Sequence, residues 1–66
     1  MFGEYIKQKR KEKKLTQKQL GLLCGYPEAS AERMVQFWER NEREVPLDKI
    51  RPLANALGIP IDSLIP

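Results

Sequence analysis

The segments LTQKQL (residues 15–20) and MVQFWERN (residues 34–41) decide the fold of this chain. The first predicts the start of a helix, because Thr16 can cap it and Gln19, three residues later, completes a capping-box pattern. The second predicts the end of another helix, since Asn41 tolerates the left-handed conformation that terminates helices. Gly25 lies between them and predicts the end of the earlier helix. Two helices joined near a glycine therefore form the centre of the structure.

Size and composition restrict the remaining possibilities. The chain has 66 residues, one cysteine and no histidine. It therefore lacks an internal disulfide, the usual zinc ligands and any Cys–His or Ser–His nucleophile pair. We therefore expect no metal, no cofactor and no enzymatic activity. We also expect no membrane partner, since no run approaches the ~18 apolar residues of a membrane span. With no signal-peptide pattern at the N-terminus, these features predict one domain over residues 1–66 in the reducing cytoplasm.

The net charge of +3 is unevenly distributed along the chain. Residues 1–27 hold seven basic and two acidic residues, a balance of +5, whereas residues 28–66 hold five basic and seven acidic residues, a balance of −2. A positive half suits a polyanionic partner. The alternative is a solvated helix face, which is the commoner meaning of a charge run.

The turn near Gly25 leads into the third helix. Pro27 disfavours helix at Tyr26, so we predict Ser30 as the N-cap, with Pro27 in the first turn as the alternative start. The apolar stripe of this helix consists of Met34, Val35 and Trp38. Trp38 is expected in the core, together with Cys24 on the preceding helix.

Three further segments have helical periodicity. Phe2 and Ile6 predict a first helix over about residues 2–13. A fourth helix over residues 47–57 contains Pro52, which predicts a kink or a delayed start. A last short apolar helix follows Pro60, and no strand pattern appears. The sequence therefore predicts an all-α fold of five helices.

The order and spacing of these residues resemble the lambda-repressor-like helix-turn-helix domain of Cro and XRE regulators. The resemblance covers nearly the whole chain and rests on Ile6, Arg10, Leu15, Thr16, Gln17, Leu20, Gly25, Val35, Trp38, Glu39, Arg40, Leu53, Ala54, Ala56, Leu57, Gly58 and residues 59–65. It implies a compact five-helix domain in which helices 2 and 3 form the helix-turn-helix. A recognition helix over about residues 30–40 would then lie in the major groove of double-stranded DNA.

Four features depart from the family pattern. Lys9 stands where the family usually has an apolar core residue, so its stem is expected to lie along apolar surface while its charge stays in water. Residues 25–38 are roughly four residues, about one helical turn, longer than usual. Lys14 stands where a glycine commonly ends helix 1, so the backbone is expected to turn there through the left-handed region. Gly21 replaces a usual alanine, which keeps a close approach between helices at the cost of helix propensity.

The resemblance also implies roles for individual side chains. The residues expected to contact bases are Arg33, Gln36, Glu32 and Phe37, and Ala31 is expected to be exposed beside them. Arg33 suits guanine and Gln36 suits a bidentate contact to adenine. The residues expected to contact phosphates are Gln17, Lys18, Ser30, Arg40, Asn41 and Arg43. For Arg43 the alternative is an ion pair with Glu42 or Glu44. Arg10 and Glu39 are expected to form an ion pair that joins helix 1 to the end of helix 3.

The function implied by the resemblance is that of a sequence-specific transcriptional regulator of bacterial or phage origin, a repressor or a Cro-like controller protein. It would bind a roughly palindromic operator as a homodimer. The dimer surface is expected near Ile59, Ile61, Ile65 and Pro66. A protein-interaction module, such as an antitoxin or an adaptor, remains the alternative, which the acidic C-terminal half favours. Salt dependence distinguishes the two, because DNA binding weakens steeply with salt.

Overall fold

The computed structural model describes residues 2–65, which form four α-helices and one turn of 3-10 helix. The helices are α1 (Gly3–Glu12), α2 (Gln17–Leu23), α3 (Glu28–Glu39) and α4 (Leu47–Leu57), and the 3-10 turn spans Ile61–Leu64. Residues 2–65 contain no strand, so the all-α prediction is confirmed. The count of five helices is wrong, because the apolar segment after Pro60 forms only a four-residue 3-10 turn, a common form for so short a piece.

All four helices end in the same backbone arrangement. One residue at each end has a positive φ, and these residues are Lys14 (59°), Gly25 (96°), Asn41 (58°) and Gly58 (68°). The amide of the residue that follows donates to a carbonyl five positions earlier, as Leu15 does to Arg10 over 3.1 Å. This is the Schellman motif, which satisfies carbonyls that the helix leaves without partners. The left-handed conformations predicted at Lys14, Gly25 and Asn41 are therefore confirmed.

The starts of α2 and α3 differ in how well the sequence predicted them. Thr16 Oγ1 accepts from the Gln19 amide over 3.0 Å, and Gln19 Oε1 accepts from the Thr16 amide over 2.8 Å, so the capping box is confirmed. Ser30 is not the N-cap of α3. The helix begins one turn earlier, at Glu28, because Pro27 is extended and its carbonyl accepts from the amides of Ser30 and Ala31. The alternative prediction, a start of α3 near Pro27, is closer to the structure. The helix spans Glu28–Glu39, whereas the sequence predicted about residues 30–40.

The core lies between the four helices. Its buried residues are Ile6, Leu20, Cys24, Val35, Trp38, Ile50, Leu53, Ala54, Leu57 and Leu64. Cys24 and Trp38 are each only 2% exposed, as their helical spacing predicted. Burial raises the pKa of the Cys24 thiol to about 11, although Lys49 acts in the opposite direction. Within residues 2–65 no helix is long and apolar enough to cross a membrane.

Two glycines allow helices to approach closely. A Cβ on Gly21 would overlap the backbone of Ala31, and a Cβ on Gly3 would overlap the carbonyl of Glu39. The predicted close approach at Gly21 is confirmed, but the expected exposure of Ala31 is wrong, since it is fully buried against α2. In α4, Pro52 does not delay the start of the helix, which begins at Leu47 directly after Pro46.

The end of α1 generates a prediction about stability. Replacing Lys14 by glycine should raise the free energy of unfolding by up to about 1 kcal/mol, because a side chain with a Cβ is strained at a φ of 59°. Lys7→Gly is the matched control. It removes the same charge from an exposed position in the middle of the same helix and should lower stability by about 1 kcal/mol. Urea denaturation of both variants checks this, and a loss of stability in Lys14→Gly would contradict it.

Candidate nucleic-acid interface

The outward side of α3 is the surface on which the predicted base contacts come together. Val35 and Trp38 face the core, whereas Glu32 and Arg33 are exposed and Gln36 is half-buried. Among residues 2–65 Arg33 makes no ion pair, so its guanidinium is available to a ligand. Guanidinium and amide groups on one exposed helix face are the side chains that bind base edges in the major groove.

A buried ion pair fixes the C-terminal end of α3 against α1. Arg10 Nε donates to Glu39 Oε2 over 2.6 Å, and Arg10 Nη2 donates to Glu39 Oε1 over 3.3 Å. The two side chains are 10% and 3% exposed. Arg10 Nη1 also donates to the carbonyl of Leu15 over 2.8 Å, which ties in the connection between α1 and α2. The predicted ion pair is confirmed.

The same carboxylate continues into the outward face through two glutamines. Gln17 Nε2 donates to Glu39 Oε1 over 3.0 Å, and Gln36 Nε2 donates to Gln17 Oε1 over 3.2 Å. Gln36 Nε2 also lies 3.2 Å from Glu32 Oε2, one turn earlier on α3. We call the connected side chains Arg10, Glu39, Gln17, Gln36 and Glu32 the polar relay. It joins the buried ion pair to the surface.

The sequence predicted the members of the polar relay but not their connection. Gln17 and Gln36 were assigned separately to phosphate and base contacts, and nothing in the spacing showed that they bond to each other. Their contact depends on the angle at which α2 packs on α3. The Glu32–Gln36 bond had a local signal, since positions i and i+4 of a helix are neighbours.

A second contact links the first turns of α2 and α3. Lys18 Nζ lies 3.6 Å from Glu28 Oε2, and both side chains are exposed, at 46% and 76%. Such a pair is weak in water, so that Lys18 can exchange this carboxylate for a phosphate. Ser30 is half-buried, and its hydroxyl lies 3.5 Å from the carbonyl of Pro27.

Side chains beyond the end of α3 are engaged within the fold. Asn41 Oδ1 accepts from the Gly3 amide over 3.1 Å and so caps the start of α1. The guanidinium of Arg43 lies over the ring of Phe37, 4.2 Å from its centroid. Within residues 2–65 Arg43 forms no ion pair with Glu42 or Glu44, which had been the alternative. Arg40 is exposed at the end of α3.

Comparison with known proteins identifies one family. The family model described as helix-turn-helix matches residues 6–64, which include every α-helix except the first residues of α1. No match was found among curated proteins or among solved structures. Among the described residues no three His, Cys, Asp or Glu side chains are grouped so that they could hold a metal ion.

The buried ion pair generates a second prediction. Arg10→Met should lower the free energy of unfolding by about 3 kcal/mol, because Glu39 would remain buried without its charged partner. Arg51→Met is the control, since Arg51 is exposed on α4 and its replacement should change stability by less than about 0.5 kcal/mol. Urea denaturation of both variants measures the difference. Equal losses in the two variants would show that the pair contributes nothing specific.

Proposed function

The chain belongs to the helix-turn-helix family of the lambda-repressor and Cro-like (XRE) type, and on this premise we propose that it is a sequence-specific transcriptional regulator that binds double-stranded DNA. In this proposal α3 lies in the major groove and the start of α2 lies against the sugar–phosphate backbone. The regulator is a repressor or a Cro-like controller protein. The observation that carries the proposal is the exposed face of α3, on which Arg33 forms no ion pair with any of residues 2–65 and Gln36 is held in place by α2.

Base contacts come from the outward side of α3. Arg33 donates two hydrogen bonds to guanine O6 and N7. Gln36 lies on this face beside α2 and presents an oxygen atom that accepts from exocyclic amines. Glu32 lies next to it, with its Oε2 3.2 Å from Gln36 Nε2. Phe37 is half-buried under Arg43, so that only its outer edge can touch a thymine methyl group.

Phosphate contacts flank this face on both sides. Lys18 and Gln17 approach one strand from α2, and Ser30 lies nearby on α3. Past the other end of α3, Arg40, Asn41 and Arg43 approach the phosphates. The amide nitrogen of Asn41 remains a donor although its Oδ1 caps α1. These contacts position the protein on DNA and carry little sequence information.

A homodimer on a roughly palindromic operator is part of the proposal, because one small module buries too little surface for tight specific binding. Of the residues expected at the dimer surface, Ile65 is 49% exposed, Ile59 and Ile61 pack partly against the core, and Pro66 lies outside the described residues. Leu47 is far more exposed, at 88%. It borders a cleft of about 380 Å³ between the starts of α1 and α4, together with Leu64. We therefore propose that the dimer surface includes Leu47 as well as Ile65.

A protein-interaction module is the second candidate function. Leu22 and Leu23 are 43% and 56% exposed on α2 and form an apolar patch with Leu15. Exposed apolar patches mark protein contacts. If this patch were the functional surface, binding of the partner would depend little on salt, whereas DNA binding would weaken steeply.

The experiment that tests the proposed function is in vitro selection from random duplex DNA. A shared sequence among the selected duplexes, bound with steep salt dependence, is the expected result. Recovery of no shared sequence, with weak binding that does not vary with salt, would overturn the proposal in favour of a protein partner.

The roles of two side chains give a third prediction. Arg33→Ala should weaken binding to the selected operator by about 1–3 kcal/mol and relax the preference at one base pair. Lys18→Ala should weaken binding to any duplex and reduce the salt slope by about one unit, because it removes one phosphate contact. Titrations of both variants against the operator and a scrambled duplex check this. Equal losses on the two duplexes for Arg33→Ala would make Arg33 a phosphate contact.

The dimer surface gives a fourth prediction. Leu47→Ser should reduce cooperative binding to an operator with two half-sites by about tenfold or more, since burying a leucine contributes about 1.5–3 kcal/mol. Binding to a single half-site should be unchanged. Leu23→Ser is the control on the apolar patch of Leu15, Leu22 and Leu23 and should retain cooperativity. If only Leu23→Ser lost cooperativity, the dimer surface would lie on α2 and the proposed surface at Leu47 would be wrong.

A further inference from the structure

In the polar relay, the donor and the acceptor of each hydrogen bond can be assigned, beginning with the Glu39 carboxylate of the buried ion pair. The Glu39 carboxylate can only accept, so the Gln17 amide must turn its Nε2 toward it. Gln17 is then left with its Oε1 on the other side, and that oxygen can only accept. The amide of Gln36 must therefore turn its Nε2 toward Gln17, as the distance of 3.2 Å shows.

Glu32 completes the assignment of the Gln36 amide. A side-chain amide nitrogen carries two hydrogens. One points to Gln17 Oε1 and the other to Glu32 Oε2, each over 3.2 Å. Both donors of Gln36 are thus used within the protein, and among residues 2–65 its Oε1 accepts no hydrogen bond. Gln36 presents an acceptor to whatever binds at this face.

We propose that Glu32 is a positioning residue that sets the base preference of Gln36 by holding its amide as an acceptor. The inference rests on the proposed function, since it concerns the base that this side chain contacts. It replaces the bidentate contact to adenine expected from the sequence, because that contact needs an N–H for adenine N7 as well as an acceptor for N6.

The orientation of the Gln36 amide predicts which bases it prefers in the major groove. Adenine N6 and cytosine N4 are donors there, whereas guanine and thymine offer acceptors to the same position. An acceptor-only Gln36 therefore binds adenine and cytosine about equally well and rejects guanine and thymine. Without Glu32, one N–H of Gln36 becomes available for adenine N7, and the contact becomes specific for adenine.

The test compares three substitutions on α3. Glu32→Ala removes the acceptor and the charge. Glu32→Gln removes the charge but retains a carbonyl that accepts from Gln36. Glu28→Ala removes an equivalent charge one turn earlier, where the carboxylate pairs with Lys18 and not with Gln36. Each variant is titrated against four duplexes that differ only at the base pair whose preference Gln36→Ala abolishes.

The expected result is a change in one ratio. The wild type, Glu32→Gln and Glu28→Ala should bind the adenine and cytosine duplexes within about twofold of each other. Glu32→Ala should favour adenine over cytosine by about fivefold or more, the discrimination of a bidentate contact. A wild-type preference for adenine alone, or an unchanged ratio in Glu32→Ala, would overturn the inference.

A second measurement separates this inference from the proposed function. In the free protein, the side-chain amide resonances of Gln36 should shift in Glu32→Ala and stay in place in Glu28→Ala, as NMR of ¹⁵N-labelled protein would show. Unmoved resonances in Glu32→Ala overturn the orientation itself. Shifted resonances in a protein that selects no DNA sequence overturn the proposed function, and with it the base preference, while the orientation stands.

Discussion

The ion pair between Arg10 and Glu39 is the interaction on which the rest of the structure depends. It lies where α1, the start of α2 and the end of α3 meet, and the three donors of Arg10 reach Glu39 and the carbonyl of Leu15. A buried pair of this kind contributes less to stability than its strength suggests, because both charges lose their hydration. Its larger effect is geometric. Two hydrogen bonds from Arg10 and one from Gln17 hold Glu39, and they restrict the rotation of α3 about its own axis and so the set of side chains that face outward.

In the proposed function, the ion pair also connects stability with binding. Glu39 orients Gln17, and Gln17 orients Gln36. The Gln36 side chain at the surface is therefore held, through Gln17, by the buried Glu39 carboxylate. Because Gln36 is already ordered in the free protein, a ligand that binds it loses less conformational entropy. In the proposed function Gln17 also contacts phosphate, so a variant at that position would affect stability and binding together. Arg33, which lies outside the polar relay, is free of this coupling.

The sequence predicted those parts of the structure that are governed by local rules. The capping box at Thr16 and the left-handed residues at Lys14 and Asn41 depend on a few neighbouring atoms, and all are confirmed. The N-cap at Ser30 was wrong because the extended Pro27 already supplies a carbonyl that accepts from the amides of Ser30 and Ala31, so the helix begins before the serine. The ion pair was predicted by resemblance. The Gln17–Gln36 bond was not, because it depends on how two helices cross.

The buried ion pair lies at the C-terminal end of α3, whereas the exposed carboxylates Glu28 and Glu32 lie toward its start. With a rise of about 1.5 Å per residue, Glu28 lies about 16 Å from Glu39 along the helix. The first turn is held by the contact of Ala31 with Gly21 and by the exposed pair of Glu28 with Lys18. In the proposed function, carboxylates in a groove between phosphates oppose binding. Glu28 loses its partner when Lys18 turns to a phosphate, and Glu32 keeps its charge while it accepts from Gln36. On DNA, the remaining repulsion would weaken binding to every sequence equally. A larger share of the binding free energy would then come from contacts to bases, which is how an acidic recognition helix can favour specificity over affinity.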